Sequence, residues 1–354
     1  MSFDQLSDDG ASVRETIHQR VTRRTPSSRT AERVGLVLTA VLLAGAFGFV
    51  GLYWLQTHGY AQSAYWQFLS TGRGVDATLG TSFFGHPSVW HSFSSAIFVG
   101  VSVPLVGTYL VHSEQALLGE TLAHTAFAGV AVGVLIQGLT GWAVPLEVVA
   151  LVVAVVSALG LQWLLGRSNA YGDVPLAIVL VGSFAVGTLL ISYGQDTMPI
   201  TVDVEAYLFG SLAIVTGEGA RLMAGVTLVV GATVTFFYKQ LLFVTFDSSG
   251  ARAARLDVTR YETLILVVAA MVVVGAMQVL GVILVAGLLV APAAAASQVA
   301  TSFRELLVLS VLCGEFSVVV GFVLAFSLGV PSGGAIVSVA ICVYLLALVR
   351  STGG

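Results

Sequence analysis

Charged side chains are scarce in this chain. Lys, Arg, Asp and Glu together make up 10% of its 354 residues, whereas hydrophobic residues make up 56%. A soluble domain carries about 25% charged residues. The composition therefore excludes a soluble globular protein and predicts a polytopic membrane protein.

Lysine and cysteine are rarer still, and their scarcity excludes several function classes. The single lysine, Lys239, is followed by Gln240, so no Gly-x-x-x-x-Gly-Lys-Ser/Thr loop exists for nucleotide phosphates. Cys313 and Cys342 fall in apolar runs and form no Cys-x-x-Cys motif, which argues against a thiolate metal site. No basic run interleaved with aromatics suits nucleic acid. We therefore expect no enzymatic activity and no nucleic-acid partner, and any ATPase must be a separate polypeptide.

Long apolar runs predict an all-α fold of about ten transmembrane helices, because each run can cross about 30 Å of hydrocarbon. The run 264–300 is too long for one crossing, and we interpret it as a tight hairpin near 262–299, with helices at 262–280 and 282–299. The other predicted spans are 34–56, 92–112, 117–138, 144–165, 174–193, 219–239, 304–327 and 332–349.

The basic residues predict the orientation of these spans. With the N-terminus inside, 13 of the 15 Lys and Arg residues face the cytoplasm, and only Arg73 and Arg221 lie outside. A single crossing in place of the hairpin would put Arg260 and Arg304 on opposite sides. We therefore favour ten helices with cytoplasmic N- and C-termini.

The chain divides into four predicted segments. Residues 1–33 form a polar cytoplasmic tail, 34–56 an additional N-terminal transmembrane helix, 57–91 an external aromatic loop, and 92–350 the main membrane domain. A short amphipathic helix at the outer surface is one interpretation of 195–218, and a solvated acidic loop is the other. The cytoplasmic loop near 240–261 is either a docking surface for a partner or a plain connector.

Glu120 and His124 are the main candidate functional residues. They lie four residues apart within an apolar run, so a helix places them on one face, one turn apart. Ionisable residues inside a membrane span usually face a polar pathway or a partner. From the residues alone, the pair could hold a divalent cation, relay a proton, or form a structural hydrogen bond. Glu315, in the middle of the span 304–327, is a second possible pathway residue by the same argument.

Five sequence elements, in order, resemble those of the permeases of metal-ion ABC transporters, the membrane subunits of zinc and manganese importers. Glu120 and His124 belong to the first element. The elements are Leu118-Gly119-Glu120-Thr121-Leu122-Ala123-His124 with Gly129-Val130, Tyr207-Leu208-Phe209-Gly210-Ser211, Phe246-Asp247 with Ala251-Arg252, Val279-Leu280-Gly281-Val282-Ile283-Leu284-Val285 with Pro292-Ala293, and Pro331-Ser332-Gly333-Gly334-Ala335-Ile336-Val337. The resemblance covers roughly residues 92–350.

Several positions depart from the family pattern. The family's aspartate is Glu120, its serine is Ala123, and the proline before Gly129 is Ala128. A basic pair that often precedes the first element is replaced by His112-Ser113-Glu114-Gln115. Glutamate keeps the oxygen ligand but adds a methylene, so the size of the site is altered.

The resemblance implies a dimeric permease of a prokaryotic plasma membrane, with the pathway between two protomers. Glu120 and His124 from each copy would bind the transported divalent metal, zinc first and manganese next, and no cofactor would be bound permanently. The implied partners are a second copy of the chain, cytoplasmic ATPase subunits and an extracytoplasmic metal-binding protein. We expect the ATPase to dock at Asp247, Ala251 and Arg252.

Two other functions stay open on sequence grounds. An ABC importer of iron chelates or corrinoids has a similar ten-span architecture and needs no buried metal ligand. A proton-coupled secondary cation transporter would use Glu120 and His124 as a proton relay. Transport by Glu120 and His124 variants separates the first from a metal importer, and uptake without nucleotide identifies the second.

Overall fold

The chain is described by a computed structural model that covers residues 26–80, 82–142, 145–165, 167, 174–197, 204–211 and 215–352. All regular structure in these ranges is helical. The helices are α1 (Pro26–Thr57), α2 (Gln62–Leu79), α3 (Pro87–His112), α4 (Leu117–Thr140), α5 (Leu146–Leu165), α6 (Val174–Thr197), α7 (Val204–Phe209), α8 (Gly217–Phe246), α9 (Ser248–Ala253), α10 (Val258–Leu280), α11 (Val282–Ser297), α12 (Phe303–Leu328) and α13 (Ser332–Thr352).

The helix content confirms the predicted all-α membrane fold. In the ranges described, nine helices are long and apolar enough to cross a membrane: α1, α3, α4, α5, α6, α8, α10, α12 and α13. The shorter apolar helix α11 completes the expected ten. Helices satisfy their own backbone hydrogen bonds, which hydrocarbon requires of any spanning segment. The predicted hairpin is present, with its two helices meeting at Gly281.

Helix α3 lies at the centre of the bundle. In its most apolar stretch 83% of the residues are buried, compared with 22% in α5 and in α6. It packs against α12, α8, α10, α11 and α1, while α4 packs mainly against α6, α5 and α11. The exposed faces of α5 and α6 are apolar, as expected of helices that face lipid.

The N-terminal part of the chain differs from the prediction in two respects. The spanning stretch of the first helix, Arg33–Thr57, agrees with the predicted 34–56, but the helix itself begins at Pro26, within the predicted tail. Proline suits the first helical position because its missing N–H needs no partner there. Residues 1–25 of the predicted tail lie outside the described residues. The segment 57–91 contains helix α2 and is not a loop. Tyr65, Leu69 and Asp76 are buried along one face of α2, at helical spacing.

Asp76 shapes the connection from α2 to α3. Its carboxylate accepts hydrogen bonds from the backbone N–H groups of Phe83 and Phe84, both 2.9 Å, and of Gly85, 2.7 Å. These three donors would otherwise be unpaired at a chain reversal, where an acceptor is needed. The buried carboxylate of Asp76 therefore fixes the backbone of the aromatic residues Phe83 and Phe84.

Three segments that resemble family elements meet in one place, which we call the glycine junction (Gly210, Gly281 and Gly333). A Cβ at Gly281 would lie 2.3 Å from the Gly210 nitrogen, and a Cβ at Gly333 would lie 1.8 Å from the Leu280 carbonyl oxygen. Gly281 also has a φ of 79°, which L side chains rarely adopt. Ser332 Oγ donates to the Val279 carbonyl oxygen at 2.6 Å.

The short helix α7 is part of this junction. A surface helix is one of the two interpretations of 195–218, and α7 lies in that range, but it packs against the α10–α11 hairpin. Residues 198–203 and 212–214 of this range are outside the described residues. Burial raises the pKa of Tyr207 on α7, and the nearby Glu147 carboxylate raises it further.

Candidate metal site

Helix α4 presents Glu120 and His124 together, as their spacing predicts. The helix begins at Leu117, so Glu120 lies in its first turn, where the helix dipole favours a negative charge. His124 follows one turn later on the same face. Glu120 is half-buried, whereas His124 is only 8% exposed.

The imidazole of His124 lacks a hydrogen-bond partner at one nitrogen. Its buried Nδ1 has none among the described residues, and its ring lies edge-on to Phe184 of α6, with ring centroids 5.0 Å apart. Within the same residues, no hydrogen bond joins Glu120 to His124. A buried polar atom without a partner is unusual and asks for an explanation. The geometry therefore gives no support to a structural hydrogen bond as the role of the pair.

One copy of the chain offers an incomplete ligand set. Among the described residues, no group of three or more His, Cys, Asp or Glu side chains could hold a metal ion. Glu120 and His124 alone supply one carboxylate and one imidazole. Divalent transition metals in proteins take at least three protein ligands in most sites, usually four in a structural one.

The surroundings of the pair are tightly packed. A Cβ at Gly119 would lie 2.4 Å from the Leu289 side chain of α11, and one at Gly129 would lie 2.7 Å from Ala150 Cα of α5. Ala123, which replaces the family's serine, is fully buried. This departure from the family pattern therefore removes a hydroxyl from the helix packing of α4.

Glu315 belongs to a different part of the bundle. It is 3% exposed, its Oε2 accepts a hydrogen bond from Thr39 Oγ1 of α1, and its Oε1 has no partner in the part of the chain described. Helix α12 packs mainly against α3, α13 and α11, with Glu315 Cα beside Gly100 of α3. The structure does not bring Glu315 together with Glu120 and His124.

The predicted docking residues have three different environments. Asp247 is the N-cap of α9, and its Oδ1 accepts from the Gly250 N–H at 2.7 Å. Ala251 is fully buried, so its side chain offers no docking surface, and its small size instead lets α9 lie close to the bundle. Arg252 is exposed. Asp247 is exposed as well, so a partner could contact the side chains of Asp247 and Arg252 directly, but not that of Ala251.

Two features of the structure were not foreseen from sequence. One is the hydrogen bond between Thr39 and Glu315, which no local pattern signals because the residues are 276 positions apart. The other is an open cavity of about 370 Å³ beside α9, whose lining includes His112 and Glu114. No sequence pattern signalled the cavity, and the departure from the family's basic pair at 112–115 concerned only residues of its lining.

Comparison with known proteins gives a consistent result. The family described as the ABC 3 transport family matches residues 86–351. A protein of Treponema pallidum (strain Nichols) called a probable metal transport system membrane protein is 28% identical over 262 residues, which are 73% of this chain and 95% of that protein. The manganese import system permease protein ScaB of Streptococcus gordonii is 27% identical over 71% of this chain and 87% of its own length.

A solved structure shares both sequence and fold with the chain. PsaBC from Streptococcus pneumoniae, determined in complex with Fab, superposes with a TM-score of 0.66 at 27% identity. The match covers 74% of this chain and 91% of that one. Helices α1 and α2 both lie before the residues matched to the family.

Proposed function

The chain belongs to the ABC 3 transport family as a metal-transport permease of the plasma membrane, and from this premise we propose that it carries divalent metal ions inward, driven by ATP hydrolysis in a separate subunit. We propose further that it works as a dimer with the pathway between the two copies. Glu120 and His124 of each copy bind the ion in passage.

The unpartnered, buried Nδ1 of His124 is the observation that carries this proposal. A neutral imidazole nitrogen without a hydrogen-bond partner is available as a metal ligand, and Glu120 lies one turn away with a carboxylate oxygen. Both ligands stand in a helix that spans the membrane, where an ionisable residue marks a pathway by default.

The incomplete ligand set of one copy supports the dimer. Two copies supply two carboxylates and two imidazoles, which is a four-ligand set for a first-row divalent ion. Ligands divided between two subunits are separated when the subunits move, so binding weakens as the pathway opens. A transporter needs such transient binding, because an ion held tightly by one protein would not be released.

The donor set suits Mn²⁺, Zn²⁺ or Fe²⁺, and the absence of cysteine gives no preference for soft Cu⁺. The sequence-based preference for zinc has no support among the relatives compared above, one of which is named for manganese import. We therefore propose Mn²⁺ as the first cargo to test and Zn²⁺ as the second.

The proposed partners follow from what the chain lacks and from its exposed surfaces. Its sequence has no phosphate-binding loop, so ATP is hydrolysed by separate subunits. These subunits bind at the predicted cytoplasmic end of the bundle, on α9, where Arg252 is exposed. An extracytoplasmic metal-binding protein delivers the ion at the opposite end. Hydrolysis in the ATPase switches the dimer between states open to either side.

Uptake of radiolabelled Mn²⁺ and Zn²⁺ tests the proposal in proteoliposomes that hold the permease, its ATPase and its binding protein. ATP-dependent uptake by the wild type is expected to be lost in Glu120→Gln and in His124→Ala. Glu218→Gln and His58→Ala remove an exposed carboxylate and an exposed imidazole elsewhere, and both controls should transport normally.

Three results would overturn parts of this proposal. Normal uptake by both pair variants means that the ion does not bind there, as in an importer of metal chelates. Uptake that persists without nucleotide and collapses with a protonophore identifies a secondary transporter. Uptake of Zn²⁺ with no uptake of Mn²⁺ would agree with the permease function but would make Zn²⁺, not Mn²⁺, the cargo.

A further inference from the structure

The cavity beside α9 has walls from three parts of the chain. These are the end of α3 with the turn that follows it, the end of α8 with Ser248 at the start of α9, and the start of α10. The cavity is open and has a volume of about 370 Å³. It lies at the predicted cytoplasmic end of the bundle, next to the surface on which we propose that an ATPase docks.

The carboxylates that line this cavity have no lysine or arginine beside them in the lining. Glu114 and Glu262 contribute to its walls, whereas no lysine or arginine does. The ion pairs seen in the described ranges, Arg221–Glu218 and Arg260–Asp257, involve neither of them. The cavity therefore has two carboxylates and, among the described residues that line it, no lysine or arginine.

Two more polar side chains belong to the lining, His112 and Tyr109. His112 Nδ1 lies 2.9 Å from the Thr108 carbonyl oxygen, so this nitrogen carries a proton and donates to that carbonyl. Tyr109 is 1% exposed, and its buried hydroxyl has no hydrogen-bond partner among the residues described. A buried hydroxyl without a partner is an independent sign that a polar ligand belongs here.

The backbone of Glu114 is held in an unfavourable conformation. Its φ is 59°, in the left-handed region that costs energy for residues other than glycine. The N–H of Gln115 donates to the Leu110 carbonyl oxygen at 2.8 Å. This bond ends α3 and fixes the turn that contains Glu114. Such strain persists where surrounding structure enforces it, often at functional sites. Helix α4 begins directly after this turn, with Glu120 six residues beyond Glu114.

We propose that the cavity receives a basic side chain, preferably an arginine, from the cytoplasmic ATPase subunit. A guanidinium group has five N–H donors and no acceptor, which matches two carboxylates and a phenol oxygen. The proposal rests on the proposed function because it requires an ATPase partner. The contact joins that partner to the turn that starts α4, and hence to Glu120 and His124.

The affinity of the full-length permease for its ATPase subunit tests this proposal. Wild type and the double variant Glu114→Gln with Glu262→Gln are titrated with the ATPase in detergent over a range of salt concentrations. We expect the double variant to bind about tenfold more weakly or worse, because each variant removes one partner of a charge pair. Its affinity should also depend less on salt.

Glu305→Gln is the matched control. Glu305 lies in the first turn of α12, at the same end of the bundle as the cavity but outside its lining, and its Oε2 accepts from Thr301. Glutamine serves equally at this position of a helix start. The control should bind the ATPase like wild type.

The remaining outcomes decide against one proposal or both. Equal affinity and equal salt dependence in wild type and double variant overturn the basic side chain and leave the permease function intact. Failure of the wild type to bind the ATPase overturns both. Binding of Mn²⁺ alone, lost in the double variant while ATPase affinity is unchanged, assigns the cavity to a metal ion instead. If the double variant does not fold, the same titration of the single variant at the exposed Glu114 decides between these outcomes.

Discussion

The hydroxyl of Thr39 donates a hydrogen bond to the carboxyl group of Glu315, and this contact joins α1 to α12 inside the bundle. Thr39 lies outside the residues matched to the family, and Glu315 lies within them. Both are buried, with 8% and 3% of their surface exposed. Helix α1 is therefore bound to the family domain through a specific polar contact as well as through apolar packing.

Thr39→Val should destabilise the protein. Valine has the shape of threonine but no hydroxyl, so the buried Glu315 carboxyl loses the partner it has in the structure. Leaving a buried polar group unpaired costs about 1–3 kcal/mol. Thermal unfolding of the purified protein in detergent should show a lower midpoint for the variant.

Thr235→Val is the control for this measurement. Thr235 is exposed, and its hydroxyl bonds only to Gly231 within its own helix. Its replacement should change stability by no more than about 0.5 kcal/mol. Equal shifts in the two variants would show that the Thr39–Glu315 contact contributes nothing specific.

Glu120→Asp should keep transport while changing its metal preference. Aspartate retains the carboxylate oxygens but shortens the side chain by one methylene, so the distance between oxygen and ion must change. Competitive uptake of Mn²⁺ and Zn²⁺ by wild type and variant measures the ratio of the two ions. An unchanged ratio would mean that the length of this side chain does not set the size of the site.

Gly333→Ala should prevent tight packing at the glycine junction. The new Cβ would lie 1.8 Å from the Leu280 carbonyl oxygen, so the backbone of α13 or of the hairpin must shift. Crowding of this kind costs about 1–3 kcal/mol, occasionally more. A Cβ at the neighbouring Gly334 would meet no atom of the described residues within 4 Å, so Gly334→Ala should unfold at the wild-type temperature.

Asp247→Ala should release the start of α9. The carboxylate caps this helix by accepting from the Gly250 N–H, and the loss of such a cap costs about 1 kcal/mol. Hydrogen exchange at the amides of 248–253 should become faster in the variant. Asp247→Asn keeps a capping oxygen and should retain the slow exchange. Fast exchange in both variants would indicate that the charge, not the cap, orders this segment.

Much of the fold could be predicted because the membrane limits the choice. A spanning segment must be a helix or a strand of a closed barrel, and apolar runs of about 20 residues fit the helix. Hydropathy therefore located the spans, and Gly281 marked the hairpin turn within an apolar run. Helix α2 was missed because Arg73 and Asp76 make its hydropathy low. Its buried face, with Tyr65 and Leu69 four residues apart, gave a weaker signal of helical spacing.

Only those features of the candidate site that depend on spacing within one helix could be predicted from the sequence. The spacing of Glu120 and His124 was enough to place them on one face of a helix. The contact of His124 with Phe184 depends on how α6 packs against α4, which no pattern within either segment specifies. The burial of Ala251 likewise depends on where α9 rests on the bundle, so the sequence could mark the segment but not its exposed side chains.

The glycine junction restricts how permeases of this kind can be recombined. Residues 207–210, 279–281 and 331–333 are far apart in the chain, yet their backbones touch through positions where no side chain fits. A chimaera can take one of these segments from a relative and keep the other two from this chain. The new segment then has a surface that fits the relative's two remaining segments and not those of this chain. We expect working hybrids to exchange all three segments together, with crossover points placed in the connections outside them.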